Sequence, residues 1–193
     1  MGFGPTSSTI LLAGGLAPAA VSTTVNVAKV ATGIAGGAAH WRFGNIDVRL
    51  VLLLALPGCV GAAVGVTVLA NVDGDALRPY LALLLLAVGT RVLLRFRRLA
   101  PGPVVSEDQS EPDTGYHRGG IGLAAFAGGI TNGLIGASGP VVTPVLLGRK
   151  GLAPRHAVGS VNNAEVAVAL TASTSLLAWS EPTVSTPGSC WRC

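Results

Sequence analysis

Two long runs without a charged residue limit what this chain can fold into. One run covers 23 residues, from Leu50 to Val72, and the other covers 30 residues, from Gly119 to Gly148. About 20 apolar residues suffice to cross the hydrocarbon core of a bilayer. A helix satisfies its own backbone polar groups there, where no water is present. The sequence therefore predicts an all-α, polytopic transmembrane protein.

The composition agrees with a membrane protein and argues against several other classes. Of the 193 residues, 50% are hydrophobic and 11% are charged, whereas soluble domains contain about 25% charged residues. The formal charge of +4 comes from arginines at the ends of apolar segments, where basic residues anchor helices. Because no basic stripe with interleaved aromatic residues accompanies them, we expect no nucleic-acid partner. Cys190 and Cys193 lack a second pair at ligand spacing, so we expect neither a metal nor a cofactor.

Five apolar segments can be placed along the chain, at about residues 18–39, 48–70, 77–94, 119–148 and 157–179. They predict a first transmembrane repeat over residues 1–99 and a second over residues 119–179. Between the repeats, residues 100–118 combine prolines with acidic residues, which predicts an exposed loop. Residues 180–193 are expected to form a polar tail.

The two repeats share a recognisable sequence. Residues 15–31 read GLAPAAVSTTVNVAKVA and residues 151–167 read GLAPRHAVGSVNNAEVA, with nine of 17 positions identical. At one position where the two copies differ, Lys29 of the first copy corresponds to Glu165 of the second. Internal repeats with polar groups inside apolar helices are typical of secondary transporters, which hold their cargo where the two copies meet.

Lys29 and Glu165 are expected to approach each other near the middle of the membrane. A charge at the bilayer centre costs about 2.5–3.5 kcal/mol on insertion scales, and equivalent positions in two repeats are natural partners. Asn26 and Asn162 lie one turn before these residues, on the same helix faces. The polar stripe continues at Thr24, Ser160 and Asn163. It predicts substrate binding or proton coupling; the alternative is that these polar groups only join two helices.

The fourth apolar segment is rich in residues that weaken helices: Gly128, Gly129, Gly133, Gly136, Gly139, Pro140 and Pro144. It is either broken or re-entrant between Gly136 and Pro144, or one glycine-lined helix. If it turns back, nine basic residues lie on one side of the membrane and Arg78 alone on the other. The positive-inside rule favours that arrangement. Three crossings then separate the two copies, which predicts an inverted repeat.

The run GASGP, from Gly136 to Pro140, is a second candidate site. Glycines let the backbone approach a ligand, and free amides beside a hydroxyl can hold an anion, so Gly136, Ser138 and Gly139 are candidate substrate residues. The run also matches the G-x-S-G signature of rhomboid-type intramembrane serine proteases, which need a histidine base close to the serine. After Ser138 the only histidine is His156, at an expected helix start. We favour a transporter over an enzyme and keep the protease as an alternative.

Four stretches of the chain form a family pattern: STTVNVAKV followed by GGAAHWRFGNID, LPGCVGAAVG, GGITNGLIGASGPVVTPVLL, and AVGSVNNAEVAV. Together they resemble the TauE/SafE family of sulfite and organic-anion exporters. The resemblance implies two similar halves in a multi-pass protein of the plasma or inner membrane. We expect the chain to contact the lipid bilayer, and a homo-oligomer is a further possible partner. The implied cargo is a small anion such as sulfite, a sulfonate or another organic anion.

The chain departs from the family pattern in two ways. Relatives often carry an acidic residue at the position of Lys29. Both ends of the chain also look short, because the unit equivalent to residues 119–138 is absent at the start and counterparts of the second and third segments are absent after the fifth. This predicts a truncated chain and leaves a transport-inactive membrane fragment as a further alternative.

Overall fold

A computed structural model describes residues 3–98, 118–147 and 154–180. Over these ranges the chain forms seven helices and no strand: α1 (Phe3–Ala13), α2 (Pro18–Arg42), α3 (Val48–Asn71), α4 (Gly74–Arg98), α5 (Arg118–Ile135), α6 (Gly139–Leu147) and α7 (Pro154–Ser180). The all-α prediction is confirmed for this part of the chain. The predicted polar loop and polar tail lie almost entirely outside the described residues.

The predicted apolar segments correspond to helices. α2, α3, α4 and α7 match four of them, and the fourth segment is divided into α5 and α6. Local signals explain two of the helix starts. Pro18 begins α2, where its missing N–H group costs nothing, and Asp47 caps α3 by accepting hydrogen bonds from the backbone N–H groups of Arg49 and Leu50. α1, which precedes the first predicted segment, was not predicted.

Among the helices of the described residues, two are long and apolar enough to cross a membrane, judged by length and composition. They are α3 and the Gly74–Leu94 part of α4. The outer face of α3 carries exposed apolar side chains at a spacing of four residues: Leu52, Leu56, Val60, Val64 and Val68. A continuous exposed apolar row of this kind fits contact with lipid.

α3 and α5 pack backbone to backbone through glycines. A Cβ atom added at Gly129 would collide with the carbonyl oxygen of Gly58, and one added at Gly133 would collide with that of Ala62. Small residues allow membrane helices this close approach. Since both contacts advance in the same direction along the two helices, α3 and α5 run parallel.

α2 and α7, which carry the repeated sequence, run antiparallel. Gly33 lies against Val166, whereas Gly36, one turn later in α2, lies against Asn162, one turn earlier in α7. The two copies of the repeat therefore meet directly. Buried apolar clusters lie on either side of the polar residues at this crossing, one including Leu50 and the other including Leu81.

Candidate functional site

The glycine-rich segment is interrupted between α5 and α6. α5 ends at Ile135, and Gly136 has a φ of +67°, a conformation that favours glycine because a Cβ atom is strained there. α6 then turns back along α5. The Thr131 hydroxyl donates to the Ala137 carbonyl at 2.8 Å, and Val142 lies against Gly128. The predicted break is confirmed, and the alternative of one continuous helix is wrong because Gly136 reverses the chain.

The end of α5 is held by hydroxyl groups from the first two helices. The last carbonyl groups of a helix have no partner within it. Here the Ser8 hydroxyl of α1 donates to the Ile135 carbonyl, and the Ser22 hydroxyl of α2 donates to the Gly133 carbonyl at 2.7 Å. Gly4, in the first turn of α1, lies against the Gly136 carbonyl with no room for a Cβ atom. The start of α1 is therefore fixed directly against the break.

Two fully buried asparagines join α2 to α5. The Asn132 side-chain amide donates to Asn26 Oδ1 at 2.7 Å, and the Asn26 amide donates in return to the Asn132 backbone carbonyl at 3.2 Å. With its amide nitrogen turned toward Asn26, Asn132 directs its Oδ1 toward Lys29, whose ammonium donates to it at 2.7 Å. Sequence reasoning did not select Asn132. The available signal was a side-chain amide within a 30-residue uncharged run.

Lys29 and Glu165 face each other across the break. Lys29 Nζ lies 3.9 Å from Glu165 Oε2, and both side chains are mostly buried. The predicted approach of the two side chains is confirmed, and their position near the middle of the membrane stays a prediction. Ser138 lies between them. Its hydroxyl donates to Glu165 Oε1 at 2.7 Å and accepts from Lys29 Nζ at 3.3 Å. The three side chains, named here the Lys–Ser–Glu triad, come from α2, the interruption and α7.

A cavity of about 140 Å³ opens beside the Lys–Ser–Glu triad. The first turn of α1, the interruption, the start of α6 and the facing sides of α2 and α7 form its walls. Six of the ten residues of the polar stripe and the GASGP run that were named above line it: Lys29, Gly136, Ser138, Gly139, Asn162 and Glu165. The structure thus brings together the two candidate sites, the polar stripe and the GASGP run.

The other stripe residues lie elsewhere. Asn26 supports the site from behind through Asn132. The Asn163 amide donates to the Gly159 carbonyl at 3.0 Å, and Ser160 accepts from the Asp47 backbone N–H at 3.0 Å. Thr24 is exposed. Thr24, Ser160 and Asn163 are therefore not part of the cavity wall. Thr24 faces outward, Ser160 faces the start of α3, and Asn163 lies at the α2–α7 contact against Gly37.

The electrostatic character of the cavity is mixed. The Lys29 ammonium contributes a full positive charge, and the starts of α1 and α6 contribute the partial positive charge of helix N-termini. Glu165 contributes the opposing negative charge. Within the described part of the chain the partners of the Ser138 hydroxyl are Lys29 and Glu165, so the geometry gives no support to a serine protease that relies on histidine.

An interrupted helix and buried charges around a polar cavity place this chain among helical membrane proteins with a polar interior site. The chain belongs to the TauE/SafE family: the family model described as sulfite exporter TauE/SafE matches residues 1–188, which confirms the resemblance seen in the motifs.

The chain is also similar to the probable membrane transporter protein YtnM of Bacillus subtilis (strain 168). The two are 40% identical over 177 residues, which is 92% of this chain and 58% of the relative. The chain thus spans little more than half of that relative's length. No solved structure matches the chain.

Proposed function

We propose that the protein acts in the plasma or inner membrane to export a small oxyanion, such as sulfite or a sulfonate, which binds in the cavity beside Lys29. The observation that carries this proposal is the convergence of Lys29, Ser138 and the starts of α1 and α6 on one cavity. Membership of a family described as sulfite exporters supports the same cargo class.

The donors around the cavity match an oxyanion. An ammonium, a hydroxyl and two helix N-termini all stabilise negative charge. At an effective dielectric constant of 20, a monoanion at 4 Å from the ammonium gains about 4 kcal/mol of Coulomb energy. The cavity of about 140 Å³ exceeds the roughly 30 Å³ that one water occupies in the liquid. It therefore suits a small oxyanion with a few waters.

We also propose that α1–α2 and α6–α7 are inverted copies of one unit. Gly4-Pro5 opens α1 as Gly139-Pro140 opens α6. The antiparallel crossing of α2 and α7 supports opposite orientations for the two units. Transporters of this design hold cargo at the interface of the repeats and move one repeat against the other.

The function is tested with the purified chain in liposomes loaded with sulfite. Wild-type protein should release sulfite, and Lys29→Met should abolish release because it removes the central positive charge. Arg78→Gln is the matched control, since Arg78 is a partly exposed basic residue that pairs with Asp75 away from the cavity. Sulfite binding to the detergent-solubilised protein is measured alongside, to separate binding from transport. Release by Lys29→Met at the wild-type rate would contradict the proposal.

A further inference from the structure

We propose that Glu165 is a tethered anion that occupies the anion site when cargo is absent, and that cargo binding is coupled to the uptake of one proton by this carboxylate. The inference rests on the proposed anion site and adds a coupling ion to it. Three features carry it: the contacts of Glu165, the charge balance of the cavity, and the access of water to the carboxylate.

Glu165 already uses the donors that an oxyanion would need. Its Oε1 accepts from the Ser138 hydroxyl at 2.7 Å, and its Oε2 lies 3.9 Å from the Lys29 ammonium. An incoming anion in the cavity must bind the same ammonium and the same hydroxyl. The carboxylate and the cargo therefore compete, and the carboxylate has the advantage of being attached to α7.

The charge balance opposes binding of an anion while Glu165 is ionised. Lys29 and Glu165 together carry no net charge, so a bound monoanion leaves the cavity with a net charge of minus one. An uncompensated charge away from water is strongly disfavoured. A proton on Glu165 restores neutrality and weakens the carboxyl group as an acceptor. The Ser138 hydroxyl can then turn to the cargo.

Lys29 is the counter-charge that faces Glu165 among the described side chains. α1 and α6 contain no titratable residue, and α3 faces Glu165 with Leu54 and Gly58. The other described titratable side chains on the helices around Glu165 do not line the cavity. They are His40 and Arg42 on α2, Asp47, Arg49 and Cys59 at the start and middle of α3, and Arg155 and His156 at the start of α7. Proton exchange linked to the anion is thus assigned to Glu165.

The proton balance is simple. A proton passes from water in the cavity to a Glu165 carboxyl oxygen when the anion binds, and it returns to water when the anion leaves. The Glu165 side chain is 16% exposed, so water reaches it. In this scheme Lys29 stays protonated, because the ammonium donates to Asn132 Oδ1 at 2.7 Å and faces the site that holds either the carboxylate or the cargo. One monoanion and one proton bind together, and the loaded site is electrically neutral.

The test uses methanesulfonate, because its own charge does not change near neutral pH. Isothermal titration of the full chain in buffers of different ionisation enthalpy gives the number of protons taken up per anion. We expect about one proton for the wild type and an affinity that falls about tenfold for each unit of rise in pH while the free site holds an ionised carboxylate. Glu165→Gln should bind more tightly, without proton uptake and independently of pH. Asp75→Asn, which removes an exposed carboxylate far from the cavity, should behave as the wild type.

The outcomes separate this inference from the anion site itself. If the wild type binds methanesulfonate without proton uptake and independently of pH, the proposal that Glu165 acts as a tethered anion is wrong, and the proposed anion site is retained. If Glu165→Gln does not fold, the wild-type titration alone tests whether proton uptake accompanies anion binding. If neither methanesulfonate nor sulfite binds to any of these proteins, the proposed anion site is wrong, and so is the proposed role of Glu165 that depends on it.

Discussion

Asn132 lies closer to the Lys29 ammonium than Glu165 does. The Asn132 Oδ1 accepts from Lys29 Nζ at 2.7 Å, whereas the carboxylate of Glu165 stands 3.9 Å away. A neutral amide, itself fixed by Asn26, therefore sets the position of the central charge. This leaves the ion pair free to open while Lys29 stays in place.

The first prediction is that Asn132→Ala lowers the affinity for sulfite by roughly 10- to 160-fold, because a hydrogen bond to a charged group contributes about 1.5–3 kcal/mol. The Lys29 side chain loses its closest partner and no longer points into the cavity in a fixed position. Sulfite binding to the purified chain measures the loss. Asn71→Ala is the control, since Asn71 is an exposed asparagine whose amide donates to the Thr67 carbonyl within α3. Equal affinities for the two variants would contradict a positioning role.

The second prediction concerns the pair Lys29 and Glu165. Reversing one charge alone, as in Lys29→Glu or Glu165→Lys, leaves two like charges at a buried site and should destabilise the protein strongly. Removal of one partner of a buried pair already costs about 3–5 kcal/mol. Exchanging both charges should restore part of the thermal stability in detergent. A double exchange no more stable than the worse single variant would contradict the pairing.

The sequence predicted much of the fold and a large part of this site. Apolar runs located the long helices, and the glycines and prolines of the fourth segment predicted its interruption. Aligning the two repeats was enough to pair Lys29 with Glu165, because equivalent positions of antiparallel copies meet at their crossing.

What the sequence did not predict depends on packing between helices. Asn132 acquires its role only because α5 places it beside Asn26, and periodicity within one helix contains no information about its neighbour. The contact of α1 with the interruption was not predicted, because an 11-residue helix is too short to be recognised in the sequence as a membrane-spanning segment. Thr24 and Asn163 were placed in the stripe by sequence proximity, whereas Thr24 is exposed and Asn163 packs against Gly37 outside the cavity wall.

The third prediction tests the contact between α1 and the interruption. Gly4→Ala should impair sulfite release, because the added Cβ atom collides with the Gly136 carbonyl oxygen and pushes the start of α1 off the cavity wall. Gly89→Ala provides the control, because a Cβ atom at Gly89 in α4 meets nothing within 4 Å. Both variants should insert into the membrane equally well. Sulfite release by Gly4→Ala at the rate of Gly89→Ala would show that α1 is not part of the functional site.

The fourth prediction separates the transporter from the serine protease. Ser138→Ala should weaken sulfite binding only modestly, by roughly 2- to 12-fold, since one neutral hydrogen bond contributes about 0.5–1.5 kcal/mol and Lys29 remains. A nucleophilic serine would behave differently, because its removal eliminates turnover. Cleavage of a membrane-embedded model substrate, measured for the wild type and for Ser138→Ala, completes the comparison. Wild-type cleavage that disappears in the variant would favour the protease.

The last prediction is that the two positions flanking α5 and α6 are accessible from the same side of the membrane. Because α6 turns back along α5 at Gly136, we expect the pair to enter and leave the bilayer on one side. The proposed units α1–α2 and α6–α7 would then have opposite orientations. Single cysteines at positions 118 and 149, in a chain whose native cysteines are replaced by serine, can be labelled with a membrane-impermeant maleimide in intact cells and in inverted vesicles. Labelling of both positions in the same preparation supports the inverted repeat. Labelling of one position in intact cells and of the other in inverted vesicles would mean that α5 and α6 together cross the membrane, and the two copies would then share one orientation.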